Sequence, residues 1–278
     1  MLPSVSSTDP TPPSTADSSP AAPPPWIVAR LRAAGCVFAE DEAALLVAEA
    51  GEDPAAVEAL VAGRESGLPL EHVLGWAEFH GLRVVVRPGV FVPRRRTEFL
   101  VRQALALAPR PTVAVDLCCG SGAVGAALLA ALPDVELHAA DLDARAVRCA
   151  RANLGPAGRV YQGDLYQPLP ARLRGRVDLL VANAPYVPSA AVPLLPAEAR
   201  SHEPLTALDG GSDGLAVLRR VIEGAPDWLA PGGSLLVETS RAQRAEVAAR
   251  MAAHGLTPRP ATCEEWEATV LIGRRPAG

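Results

Sequence analysis

The 278-residue chain contains no lysine, and arginine supplies every basic side chain. With the excess of alanine, proline and glycine, this reads as codon bias and carries no functional information. No long run of one charge sign occurs, and the formal net charge is −5. That argues against binding of nucleic acid by bulk electrostatics, though not against a local basic patch. No stretch of about 18 apolar residues is present, so no membrane span is expected. The N-terminus lacks a basic region followed by an apolar run, so no secretory signal is read there. Cysteine is scarce: Cys36, Cys118, Cys119, Cys149 and Cys263 are odd in number and fit neither a zinc site nor a disulfide framework. Free thiols in a reducing cytoplasm are expected. Asparagine occurs only at 153 and 183, which makes the position of each informative.

Nearly half of the residues are apolar, enough for a large core, and the length admits two domains. Residues 1–25 are rich in proline, serine and threonine and are expected to form a disordered tail. Residues 26–75 read as a small helical domain. One helix begins at Trp26 and ends near Gly35, a second runs from Ala39 to Ala50, and a third follows Asp53-Pro54 to about Ser66. Residues 76–93 read as a β-hairpin linker, with strands either side of Gly81 and a turn at Pro88-Gly89. Residues 94–278 open with a helix over 97–108. Strands are then expected at 112–117, 135–140, 158–162, 177–182, 233–238, 256–261 and 267–273. Helices are expected at 121–132, 143–153, 213–229 and 241–253. This alternation predicts an α/β fold with a mostly parallel, Rossmann-like sheet and an antiparallel edge formed by the last two strands.

Three strand ends carry candidate binding residues, at the sheet rim where open α/β folds bind ligands. The first is the turn Asp116-Leu117-Cys118-Cys119-Gly120-Ser121-Gly122, whose glycines let the backbone approach a ligand. No Gly-Lys-Ser/Thr follows, so it is not a phosphate loop. The second is Asp141, placed to accept from a ribose diol or, alternatively, to cap the following helix, a task Asp143 can also perform. The third is Asp164-Leu165, suited to an adenine amino group and base face; a solvated loop aspartate is the other reading. A fourth strand ends in Asn183-Ala184-Pro185-Tyr186.

In this order, the motifs resemble class I S-adenosylmethionine-dependent methyltransferases and, more narrowly, the release-factor glutamine N5-methyltransferase family. The resemblance covers roughly residues 26–275. It includes Pro69-Leu70, Val73-Leu74-Gly75, Glu78-Phe79, Pro88-Gly89-Val90, Val92-Pro93-Arg94, Thr97-Glu98, Glu203-Pro204, Leu208-Asp209-Gly210-Gly211, Asp213-Gly214-Leu215 and Pro231-Gly232-Gly233. It implies an N-methyltransferase that uses S-adenosylmethionine, no metal and no covalent intermediate. Asp116, Cys118, Cys119, Gly120, Ser121, Gly122, Asp141, Asp164, Leu165 and Asn183 would hold the cofactor. Asn183, Ala184, Pro185 and Tyr186 would hold the acceptor, with Asn183 and Tyr186 catalytic. The implied acceptor is the glutamine of a Gly-Gly-Gln motif in a peptide-chain release factor, met by a cytoplasmic, monomeric enzyme through its helical domain. A small-molecule amine and a nucleic-acid base are the alternative acceptors, and a degenerate fold without turnover is a further one. The chain departs from the family pattern at four places. Ala184 replaces the first proline of Asn-Pro-Pro-Tyr. Cys118 and Cys119 replace Gly and Thr. Arg95-Arg96 replaces Pro-Glu/Asp, a basic triplet with Arg94 that either faces an acidic partner or is solvated. Glu238-Thr239-Ser240 replaces Glu-x-Gly.

Overall fold

The computed structural model describes residues 22–107 and 112–277. The tail expected at 1–25 therefore falls, for residues 1–21, outside the described residues, as does Ala108 at the end of the helix expected at 97–108. The chain divides into two compact units, one up to Val61 and one from Ala62 onward.

The first unit contains α1 (Pro25–Ala33), α2 (Ala39–Ala50) and most of α3 (Pro54–Glu65). Ile27, Leu31, Ala43 and Leu46 recur at helical spacing and are fully buried. The side chain of Asp53 accepts from Ala55 N at 2.9 Å and starts α3, as its place before Pro54 suggested. Arg30 on α1 pairs with Glu58 on α3 at 2.7 Å.

The second unit begins with α4 (Leu70–Leu74), then β1 (Trp76–Phe79) and β2 (Leu82–Val85), which pair antiparallel with Phe79 opposite Leu82. Periodicity missed α4 because five residues between Pro69 and Gly75 hold barely more than one turn. α5 (Glu98–Leu107) follows a single turn at Arg95–Thr97. The main sheet then builds through β3 (Val113–Leu117), α6 (Ala123–Ala131), β4 (Glu136–Asp141), α7 (Ala144–Leu154), β5 (Gly158–Gln162) and β6 (Val177–Ala182). After two short helices, α8 (Ala197–His202) and α9 (Leu205–Leu208), come α10 (Ala216–Trp228), β7 (Leu229–Glu238), α11 (Arg244–Ala253), β8 (Thr257–Cys263) and β9 (Ala268–Arg274).

The strand order is β5-β4-β3-β6-β7-β9-β8. The pairs among β3 to β7 are parallel, and β9 is antiparallel to both neighbours, the edge anticipated from the short β8–β9 connection. Helices cover both faces, so the central strands read as apolar runs rather than alternating ones. Alternation survives in which face each residue serves. Leu180 and Ala182 pack with Leu218, Ile222 and Leu235, whereas Leu179 and Val181 pack with Leu128, Leu137 and Leu236. Truncating a fully buried leucine such as Leu180 to alanine is expected to cost about 2–5 kcal/mol.

The hairpin buries Phe79 and Val84 in the core of this second unit, and one side chain bonds it to the sheet. Asn153, on α7, donates from Nδ2 to Val85 O and Ser121 O and accepts at Oδ1 from Val85 N, each at 2.8 Å. One of the chain's two asparagines thus ties β2 to the glycine turn.

Candidate active site

The parallel strands β3 to β7 end at one rim. Strand order reverses between β3 and β6, which is where an open α/β sheet opens a crevice. The turn after β3, Asp141 at the end of β4, Asp164 after β5, Asn183 after β6 and Glu238 at the end of β7 all lie at that rim.

A cavity of about 140 Å³ is lined there by Cys118, Gly120, Asp141, Asp164, Leu165 and Asn183, with others. Asp141 accepts from Gly120 N at 2.8 Å and Asp143 N at 2.9 Å, and burial pushes its carboxyl pKa up. Capping of α7 belongs to Asp143, which accepts from Arg145 N at 2.7 Å. Asp164 pairs with Arg220 at 2.6 Å, and Leu165 is buried. Asp116, Cys119, Ser121 and Gly122 do not line the cavity but build the turn beneath it. Asp116 is buried and accepts from Gly125 N at 3.0 Å. Burial pushes its pKa up to about 7. Cys118 takes a left-handed backbone, φ 55°, where a glycine is unstrained. Burial, reinforced by neighbouring carboxylates, pushes its thiol pKa far up, so it stays protonated.

A second cavity, about 490 Å³, shares Phe91, Asn183, Pro185 and Ala207 with the first. Phe91, Arg94, Arg96, Tyr186 and Glu203 are among its walls. The amide of Asn183 donates from Nδ2 to Thr97 Oγ1 at 3.2 Å, and Thr97 is buried. Among the described residues none donates to Asn183 Oδ1, which leaves that oxygen for a ligand N–H. The Tyr186 hydroxyl donates to Glu238 Oε1 at 3.0 Å. Burial and the Glu238 charge keep the phenol neutral.

The backbone of this turn is held from outside. Gln243 Nε2 donates to Tyr186 O and Asp213 O, both at 3.0 Å, while Gln243 Oε1 accepts from Thr239 and Ser240. Val187 N donates to Leu208 O and Gly210 N to Val187 O. Gly214 has φ 76°, and a Cβ there would stand 2.3 Å from Tyr186 O. The Asp-Gly-Gly and Asp-Gly-Leu motifs are therefore the clamp on the Asn-Ala-Pro-Tyr turn. Ala184 itself is buried in the core with Leu215 and Val237.

Thr97, Glu238 and Gln243 were visible in the sequence only as motif or helix positions, without these roles. Thr97 lies 86 residues from Asn183, beyond any spacing rule. The signal for Glu238 was a lone carboxylate at the end of an apolar strand. The basic triplet divides: Arg94 and Arg96 line the cavity, whereas Arg95 lies 5.7 Å from the Trp266 ring. Among the described residues no group of His, Cys, Asp or Glu is arranged to hold a metal, and no helix is long and apolar enough to cross a membrane.

A family model described as methyltransferase small domain matches residues 81–197. The release factor glutamine methyltransferase of Mycolicibacterium smegmatis is 41% identical over 219 residues, covering 74% of this chain and 77% of that protein. A Streptomyces pristinaespiralis protein, 4-amino-L-phenylalanine/4-methylamino-L-phenylalanine methyltransferase, is 40% identical over 67% of this chain and 66% of its own length. The chain spans about two thirds of the length of the curated relatives it matches, 66% and 65% for those from Geobacter sulfurreducens and Thermosynechococcus vestitus. Among solved structures, a methyltransferase from Pyrococcus furiosus superposes with a TM-score of 0.54 at 18% identity, covering 70% of this chain and 90% of that one. The last of these speaks to the fold alone.

Proposed function

The chain belongs to the release factor glutamine methyltransferase family, and we propose that it transfers a methyl group from S-adenosylmethionine to the N5 amide nitrogen of a glutamine in a release factor. One observation carries the reading. Asn183 lies at the junction of the two cavities with its amide nitrogen engaged by Thr97 and its oxygen left over.

An amide nitrogen is a poor nucleophile because its lone pair is delocalised into the carbonyl. Asn183 Oδ1 and the backbone carbonyl of Ala184 accept the two N–H groups of the substrate amide. They orient the nitrogen and ease positive charge as it builds. Tyr186 packs on the flat amide and excludes water, its ring anchored through Glu238. Fixed dipoles and positioning account for the rate.

The first cavity suits the cofactor. A Cβ at Gly120, φ 55°, would meet no protein atom, so this backbone faces open space. Asp141 keeps lone pairs for a ribose diol beside its two backbone bonds. Asp164 and Leu165 flank the place for adenine. S-adenosylmethionine, when bound, supplies an electrophilic methyl group. The helical residues 26–75 recognise the protein substrate, 76–93 link, and 94–278 carry out transfer in the cytoplasm.

The test is the intact mass of a class I release factor after incubation with this protein and S-adenosylmethionine. A gain of one methyl group, absent when the Gly-Gly-Gln glutamine is substituted, is the expected result. No gain, with cofactor binding intact, refutes the substrate assignment. A second reading, an amine on a free amino acid, is favoured by the similarity to the Streptomyces pristinaespiralis enzyme. It predicts methylation of that amine in place of the release factor.

A further inference from the structure

The second cavity holds two arginines whose arrangement the glutamine-amide reading does not use. Arg94 donates from one terminal nitrogen to Glu203 Oε1 at 2.5 Å, and its guanidinium lies 4.9 Å from the Phe91 ring centre. Arg96 donates from Nε to Glu238 Oε1 at 3.2 Å and lies 5.8 Å from the Tyr186 ring centre. The anchoring carboxylates are sealed, with side chains 1% and 2% exposed, whereas the arginines are 34% and 46% exposed. Each guanidinium is therefore fixed by one buried acid and one aromatic face, and its remaining edge stays open. Among the described residues nothing accepts from the two terminal nitrogens of Arg96. Both arginines line the cavity together with Asn183 and Tyr186.

A planar fork held in place and open on one edge is the geometry that takes a carboxylate through two parallel N–H bonds. The two glycines that precede the glutamine in Gly-Gly-Gln carry no such group. We propose that Arg94 and Arg96 form a carboxylate subsite in the acceptor cavity, so that the methyl acceptor carries a carboxylate near its reacting nitrogen. The proposal rests on reading this cavity as the acceptor site. The carboxylate has two possible sources, the α-carboxylate of a free amino acid or an acidic side chain beside the glutamine of a protein loop. Of the other acids on the walls, Glu198 is held by Arg64, and Glu71, on α4, makes no ion pair with either arginine among the described residues. These acids instead disfavour placing the carboxylate elsewhere in the cavity.

The experiment is equilibrium binding to the full chain loaded with S-adenosylhomocysteine, read by calorimetry. Two probe pairs differ in a carboxylate alone. One pair is para-aminophenylacetate and para-aminophenylacetamide. The other is a Gly-Gly-Gln peptide with an adjacent aspartate and the same peptide with asparagine. One acid is expected to bind about 10-fold more tightly than its neutral partner, the scale of a charge-assisted bidentate contact. Arg96→Gln is expected to erase that preference, with S-adenosylhomocysteine affinity as the control for folding. Arg94→Gln serves as the second variant if the first fails that control. The pair that shows the preference identifies the source. Equal affinity or no binding in both pairs, or a preference that survives substitution of both arginines, overturns the proposal. Because the readout is binding, absence of methyl transfer to a release factor leaves this result independent.

Discussion

The turn after β3 and the turn after β6 face each other across one rim, yet they are built on opposite principles. In the first, Cys118 and Gly120 face the cavity while the other side chains are buried beneath. Asp116 and Cys119 point into the protein, and a departure from glycine at Cys118 is absorbed as local backbone strain. In the second, side chains do the presenting, and the backbone is held by groups far away in the chain. Asn183 is oriented by Thr97, Tyr186 by Glu238 and Gln243. The comparison explains how Ala184 can stand where the Asn-Pro-Pro-Tyr pattern has proline. The fixed φ that proline brings is replaced by hydrogen bonds from Gln243 and the 208–214 clamp.

Breaking the clamp is expected to have the largest effect. Gly214→Ala places a Cβ against Tyr186 O and Gln243 Nε2 at a left-handed backbone. Methyl transfer should fall by about 100-fold or more, since displacement of about 1 Å is enough for that. Cofactor affinity should hold. Gly120→Ala in the other turn meets no neighbour, so it should cost about 1 kcal/mol of strain and weaken cofactor binding instead. Paired calorimetry and turnover assays check both; matching defects in the two variants would erase the distinction between the turns.

The buried carboxyl of Asp116 gives a pH test of the first turn. Its folded pKa is raised to about 7 from 3.8. The stabilisation it contributes is therefore complete below the unfolded value and is lost as pH rises through about 7. Relative to Asp116→Asn, the wild type should lose up to about 4 kcal/mol between about pH 4 and pH 8. Urea melts across that range measure it, and parallel curves for the two proteins would contradict it. A smaller effect is expected at Thr97→Val, which keeps the buried shape but frees the Asn183 amide. Turnover should drop about 10-fold, the scale of one net hydrogen bond, without change in cofactor affinity. An unchanged rate would mean that Asn183 is oriented by something else. The smallest effect belongs to Cys118→Gly. Relief of strain is partly offset by glycine's freedom in the unfolded chain, leaving a net gain under about 1 kcal/mol. A melting temperature that falls by more than about 3 °C would show that the thiol's packing outweighs the strain.

How legible these features were follows from how local their causes are. Strands β3 to β7 and the helices α6, α7 and α10 were readable from apolar runs and stops, because each is written in a dozen or so contiguous residues. Asp141, Asp164 and Asn183 were readable because strand ends converge in a parallel sheet. What escaped was held together across the chain. The partnership of Thr97 with Asn183, that of Gln243 with Tyr186, and the turning of Arg94 and Arg96 inward while Arg95 turns to Trp266 depend on tertiary placement. Helices α4, α8 and α9 escaped for the different reason that they are too short to show a period.

The most direct measurement of the central claim, that Asn183 positions the accepting nitrogen, is a paired one on wild type and Asn183→Ala. S-adenosylmethionine affinity is read by calorimetry and methyl transfer to the release factor by mass. The account predicts affinity within about 3-fold and transfer reduced by at least about 100-fold. Transfer near the wild-type rate with the asparagine removed would contradict it.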